Sequence, residues 1–397
     1  MSFSAPRARR LAAIVARAVA VMLAALLIAS CGGNGRSPVE VRLKQETAKR
    51  TVLGFPALAT KNTTRVGGSD PVADAAGAAD AVFPGHEANL RPRLVSLVNS
   101  DDWRAGVAAS VLMAPPVKAP VLLAGKDRVP DATSEALDTL APRGLSGAGG
   151  AQVLRVGGVA KPDRLRSTAI SGADPFSLAD ALDAFLTHVA GSPSRNVVIA
   201  SADEPGFAMP AAAWAAKSGD AVLFVRKDIL PSPTKRALQR HQQPSIYVLG
   251  PASVISDAVV AQLKKLGTVK RIAGNTPVEN AIAFARYSDG SFGWGIQDPG
   301  HGLVIANVGR PLDAAAGAAL SASGKYGPLL LVDSRDHLPA PLENYLLDIQ
   351  PGYRFDPVRG VYNHAWLMGD ESAISVDVQA RIDSLAEITQ VKQKGSG

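Results

Sequence analysis

The chain has 397 residues, enough for two to four domains of ordinary size. With 47% hydrophobic and 19% charged residues it can bury a large core, which excludes a disordered polyelectrolyte. Its formal charge is +7, but Arg7, Arg9, Arg10 and Arg17 fall in a first thirty residues that hold no acid, and the remainder carries 38 basic against 35 acidic residues. Charge therefore gives no support to a nucleic-acid partner, and a single cysteine excludes both an intramolecular disulfide and a cysteine-built zinc cage.

Residues 1–30 read as a secretory signal: a basic stretch to Arg10, then an apolar, Ala/Leu/Val-rich run that Arg17 interrupts, which makes it a poor permanent membrane span. The run ends Leu27-Ile28-Ala29-Ser30-Cys31, which resembles a bacterial lipobox. That resemblance implies that Cys31 is acylated on sulfur, becomes the new N-terminus and anchors an exported protein to the membrane. The alternative is an unacylated signal peptide cut near a free thiol. Residues 31–62, opening Gly32-Gly33-Asn34-Gly35, lack hydrophobic periodicity and read as a flexible tether, and residues 391–397 as a disordered tail.

Beyond the tether the chain repeats itself. Arg65-Val-Gly-Gly68-Ser-Asp70-Pro71 aligns with Ala169-Ile-Ser-Gly172-Ala-Asp174-Pro175 and with Arg271-Ile-Ala-Gly274-Asn-Thr276-Pro277. A period near one hundred residues is a whole small domain, so repeats are expected over 63–165, 166–268 and 269–390. Each continues with an apolar strand (Leu94–Val98, Asn196–Ala200, Gly302–Ala306) and an Ala-rich helix (Ala105–Met113, Ala208–Ala216, Ala314–Ala322). A second strand follows, Pro120–Leu123, Ala221–Phe224 or Pro328–Leu331. Then come a turn (Lys126–Pro130, Lys227–Pro231, Arg335–Pro339), a helix, and a third strand ending in glycine (Gly157, Gly250, Gly369). Continuous apolar runs alternating with helices predict strands buried on both faces. The expected fold class is α/β: three tandem, small, doubly wound, Rossmann-like parallel-sheet modules, each completing its own sheet.

This order of motifs, three times over, resembles the type 2 cell-wall-binding repeat family. The resemblance covers about residues 63–390 and implies that the chain binds an anionic cell-wall polymer or glycan. It points to the Pro-x-Leu-Leu region as a contact, namely Pro120, Leu122 and Leu123 in the first copy and Pro328 and Leu330 in the third. It also draws in Asp313, since Asp313-Ala314-Ala315 alone approaches the Asp-Ala-Leu that family members carry at the helix start. The chain departs from the family where Pro71-Val72, Pro175-Phe176 and Pro277-Val278 stand in place of Arg-Tyr.

Independently of the resemblance, loops after parallel strands gather on one edge of a sheet, where helix N-termini favour anions. Lys126-Asp127, Lys227-Asp228 and Arg335-Asp336 fall there, and their cations suit phosphate or carboxylate. The competing reading makes each Asp a helix cap and each cation a solvated charge. Arg65 and Arg271, matched by Ala169 in the second copy, are either polymer contacts or salt bridges at a junction. Asp70 and Asp174 before proline read as turn formers, and the four Trp residues occupy no equivalent positions.

Enzyme signatures are thin. Ser232-Pro-Thr-Lys235 fits Ser-x-x-Lys, but its companion Ser-Asp-Asn and Lys-Thr-Gly elements are missing, and there is no Walker A loop and no His-Glu-x-x-His. The six His residues are scattered. The expectation is a non-enzymatic binding protein without metal or cofactor. The rival is a solute-binding lipoprotein of a transporter, in which two lobes close on one cleft.

Overall fold

Strands β1 (Leu58–Ala59) and β2 (Thr63–Val66) open the computed structural model, which describes residues 58–391 apart from His86, Gly324 and Lys325. The expected signal peptide, Cys31, the tether up to residue 57 and the tail from 392 lie outside the described residues. The last part of the expected tether is structured, because β1 pairs antiparallel with β2, Leu58 opposite Arg65.

The first repeat supplies β3 (Val95–Asn99), β4 (Val121–Ala124) and β5 (Val153–Val156), and the second copy begins with β6 (Ser167–Ile170). The second repeat continues with β7 (Asn196–Ser201), β8 (Ala221–Val225) and β9 (Ser245–Leu249), and the third begins with β10 (Thr268–Ile272). It then supplies β11 (Gly302–Asn307), β12 (Tyr326–Val332), β13 (Gly352–Tyr353), β14 (His364–Met368) and β15 (Thr389–Gln390). These form sheets of order β4-β3-β5-β6, β8-β7-β9-β10 and β12-β11-β14-β2-β1, beside a small β13-β15 pair. All ladders of the three larger sheets are parallel except β1–β2. The apolar runs VLLA and AVLFV are buried throughout, as strands covered by helices on both faces must be.

The repeats do not each complete their own sheet, which corrects that expectation. The opening strand of each copy pairs in the sheet of the copy before it: β6 with β5, β10 with β9, and β2 of the first copy with β14 of the third. The helix after that strand packs the other way. Pro71–Val82 lies on β4, Pro175–Ala190 on β8 and Pro277–Arg286 on β12, each in its own copy. Strand and helix are thus shared between neighbours, and the first and third copies close a ring. These opening strands are only half-apolar (STAI, TVKRI), and β6 and β10 lie at sheet edges, where one flank needs no partner.

The repeated glycines stand where strand end and helix start nearly touch. A Cβ on Gly68, Gly172 or Gly274 would lie 2.6, 2.3 or 2.3 Å from the backbone N of Asp74, Leu178 or Asn280. The following Asp and Thr are more than turn formers. Asp70 accepts from the N–H groups of Val72 (2.9 Å) and Ala73 (3.0 Å), Asp174 from Ser177 (2.7 Å), and Thr276 builds a capping box with Glu279. Proline follows each cap at the first helical position, where its missing N–H costs nothing.

The Ala-rich helices meet one another. Trp103–Ala109, Pro205–Ser218 and Asp313–Ala316 pack on one another through small side chains, and a Cβ on Gly106 would come within 3.0 Å of the Ala315 Cβ. The helix expected over 314–322 is broken at Gly317, where an added Cβ would sit 3.1 Å from both Met368 Sδ and Val304 Cγ1.

Candidate functional site

In each sheet the first strand stands between the second and the third, so the crevice where the winding reverses opens at the carboxyl ends of β3/β5, β7/β9 and β11/β14. The turns after β4, β8 and β12 flank these crevices. Their backbone is stitched to the loop after the third strand. Gly125 O accepts from Ala160 N–H (3.0 Å), Lys227 O from Ser256 N–H (2.9 Å) and Arg335 O from Ser375 N–H (2.9 Å). Thr133 and Thr234 each hold the next helix to the strand through Oγ, donating to Leu123 O (2.5 Å) and Phe224 O (2.6 Å).

Lys126, Asp127, Lys227, Asp228, Arg335 and Asp336 are all exposed on these turns. The Asp residues do not cap the following helices. Pro130, Pro231 and Pro339 occupy the N-cap positions, with no side-chain bond to the first turn, so that reading is corrected. Lys126 and Lys227 have no partner among the described residues. Arg335 differs: its Nε donates to Glu371 O (2.7 Å) and its guanidinium pairs with Asp336 (2.6 Å). Two of the three cations are therefore free to meet an anion, and the third is already engaged.

Other expected contacts lie inside. Pro120, Leu122, Leu123, Pro328 and Leu330 are buried in or beside the strands, where helices cover them, and cannot touch a polymer. Arg65, 2% exposed, donates to Gln379 Oε1 (2.9 Å) and to the carbonyls of Gly369 (3.0 Å), Asp370 (2.8 Å) and Ser375 (3.4 Å). Arg271 does the same in the second sheet, donating to Gly250 O (2.7 Å), Ile255 O (2.9 Å) and Asp257 (3.0 Å). Both arginines lock the loop after a third strand onto the opening strand of another copy. Burial holds the Arg65 guanidinium below its ordinary pKa.

Asp313 is also buried, and it belongs to a cluster that the sequence reading missed. Arg310 donates through Nε to Asp313 (2.7 Å) and through its other end to Asp74, and Gly68 N–H donates to Asp74 Oδ1 (2.7 Å). Neither carboxyl is exposed to solvent. Burial, with the charge of Asp313 beside it, pushes Asp74 up to about 9 against the stabilising pull of Arg310, and burial raises Asp313 as well. Both shifts favour keeping a proton on one of the two carboxyls beside the guanidinium. This ties helix Pro71–Val82 of the first copy to the third copy at the ring closure. Its only sequence trace is the spacing of Arg310 and Asp313 and an Asp six residues after Gly68.

Ser232 and Lys235 lie in the first turn of helix Ser232–Arg240, exposed, as the repeat alignment requires.

Three parallel sheets of one strand order, sharing elements in a ring and presenting like turns, define a multi-module α/β repeat protein. Residues 169–260 and 271–379 match the family Cell wall binding domain 2 (CWB2), just over half of the chain, and the chain belongs to that family. The chain is 24% identical over 369 residues to the amidase enhancer of Bacillus subtilis (strain 168), covering 91% of this chain and 46% of that protein. Among solved structures it is similar to Cwp6 from Clostridium difficile (TM-score 0.64, 18% identity, 82% of this chain and 47% of that one). It is also similar to Cwp8 from the same organism (TM-score 0.60, 17% identity, 82% and 52%), and these likenesses carry the fold alone. The chain spans about half the length of these relatives.

Proposed function

We propose that the chain is a lipid-anchored, non-enzymatic envelope protein that holds an anionic cell-wall polymer along the carboxyl edges of its three sheets. Family membership supports association with the wall. The observation that carries the finer reading is the equivalent placement of Lys126 and Lys227, exposed and unpaired on like turns, with Arg335 at the third. Each site is shallow and electrostatic, so affinity comes from sites on one body acting together; linked weak sites gain a hundredfold or more, roughly, through effective concentration. Anchoring rests on Cys31 and the segment before it; among the described residues no helix is long and apolar enough to cross a membrane. Three sheets sharing strands in a ring speak against the two closing lobes of a transporter's solute-binding lipoprotein.

The test is sedimentation of the purified protein with cell walls before and after the secondary polymers are stripped. Binding that disappears on stripping supports an anionic polymer as the ligand. Binding to stripped peptidoglycan that equals binding to intact walls would refute it.

A further inference from the structure

The first copy carries a basic cleft at the opposite edge of its sheet. Arg91 and Arg93 precede β3, Lys118 precedes β4, and Arg143 follows helix Asp131–Leu140. Together they line a cleft of about 410 Å³ whose lining includes no carboxylate. Main-chain bonds bring two of these distant stretches together, Arg143 N–H donating to Pro92 O (3.1 Å) and Gly144 N–H to Arg93 O (2.8 Å), while Lys118 is held in its own turn by donating to Ala114 O (3.1 Å). Arg91 is oriented by its bond from Nε to Gly85 O (3.2 Å). Phe83 and Leu90 supply an apolar wall, and Leu90 is 43% exposed.

Two observations mark the cleft as more than a solvated face. Several clustered cations elsewhere are matched by acids: Arg236 and Arg240 with Asp180, Arg381 with Glu343, Arg310 with Asp313. Here Arg93, Lys118 and Arg143 have no acidic partner among the described residues, so the cluster is held together against its own repulsion. Lys118 also has φ of +54°, a left-handed conformation that a non-glycine residue seldom adopts unless its surroundings impose it. At the corresponding edge of the second copy, the cleft lined by Asp183, Ser192, Ser194, Ser218 and Gly219 contains no Lys or Arg.

We propose that this cleft binds a phosphorylated sugar unit, its phosphate held by Arg93, Lys118 and Arg143 and its ring laid against Phe83 and Leu90. Several cations match a phosphate dianion better than a singly charged carboxylate, and the apolar wall gives a sugar ring a contact that a free ion lacks. The inference rests on the wall-binding reading only for where such a sugar would be met. The cleft is separated from the Lys126 turn by the length of a strand, on the order of 15 Å, so the two sites can be tested apart.

The experiment is isothermal titration of the full chain in detergent with N-acetylglucosamine 1-phosphate, compared with N-acetylglucosamine, galacturonate and inorganic phosphate. The sugar phosphate should bind about tenfold or more tightly than each of the others. The triple variant Arg93→Gln/Lys118→Gln/Arg143→Gln, with its circular dichroism unchanged, should lose that margin. Phe83→Ala should bring the sugar phosphate down to the affinity of inorganic phosphate, and Lys126→Gln/Lys227→Gln should leave it unaltered. Inorganic phosphate or galacturonate binding as tightly as the sugar phosphate would overturn the assignment, as would a triple variant that still binds. Loss of wall sedimentation has no bearing on this titration, so either reading can fail without the other.

Discussion

Asp74→Asn tests the buried cluster that closes the ring. The folded protein keeps a proton on the Asp74–Asp313 pair that the unfolded chain, with Asp at its ordinary 3.8, gives up, because burial lifts Asp74 to about 9. Between those values the folded state binds the extra proton, so its contribution to stability is complete below the lower one and is lost as pH rises toward the higher. The slope is about 1.4 kcal/mol per pH unit for one proton. Asparagine fits the position, since Asn280 holds the matching place in the third copy, its Oδ1 accepting from Gly274 N–H at 3.3 Å. The variant carries no titrating group there and leaves Asp313 alone with Arg310. Urea unfolding at constant ionic strength from about pH 5 to 8 should therefore show wild type losing about 1.4 kcal/mol per unit relative to the variant. The slope is the readout, whatever the offset between the curves. Parallel curves would mean that no proton is held in the cluster and that the argument from burial is wrong.

Three further outcomes are expected. Gly172→Ala pushes a Cβ to 2.3 Å from the Leu178 backbone N and should destabilise by about 3 kcal/mol, read from the denaturation midpoint. Arg65→Met leaves the carbonyls of Gly369 and Asp370 without their donor and should cost about 3 kcal/mol, while wall sedimentation of the folded protein stays unchanged. Cys31→Ser should leave export intact and move the protein out of the membrane fraction, because stable anchoring takes more than one acyl chain; retention after a high-salt wash would count against lipid anchoring.

The fold class was legible because β4, β8 and β11 are continuous apolar runs and the helices between them are Ala-rich, patterns that follow from burial on both faces. The exchange of opening strands was not, since nothing in STAI or TVKRI states which sheet it will join. Arg65 reads as a polymer contact or a salt bridge at a junction; it does sit at a junction, but its acceptors are the neutral Gln379 Oε1 and the carbonyls of a loop some three hundred residues away, which no local pattern announces. The Lys-Asp turns were placed correctly on the sheet edge. Capping, the competing reading of their Asp residues, fails because the chain runs on to a proline before the helix begins. Leu122, Leu123 and Leu330 came from the family resemblance, and their place at the centre of buried strands removes them from any surface. The basic cleft escaped notice because its members lie up to fifty residues apart and converge only through the loops that precede β3 and β4.

The central claim, that wall association is carried by exposed cations on repeated turns, is tested most directly by sedimenting Lys126→Gln/Lys227→Gln/Arg335→Gln with intact walls across a salt series. Wild type should bind at low salt and release steeply as screening lengths fall below about 8 Å, and the triple variant should stay in solution with its fold intact. Arg335→Gln alone should matter least, since its guanidinium is already engaged by Asp336 and the Glu371 carbonyl. A triple variant that still sediments, or wild-type binding that salt leaves untouched, would contradict the account.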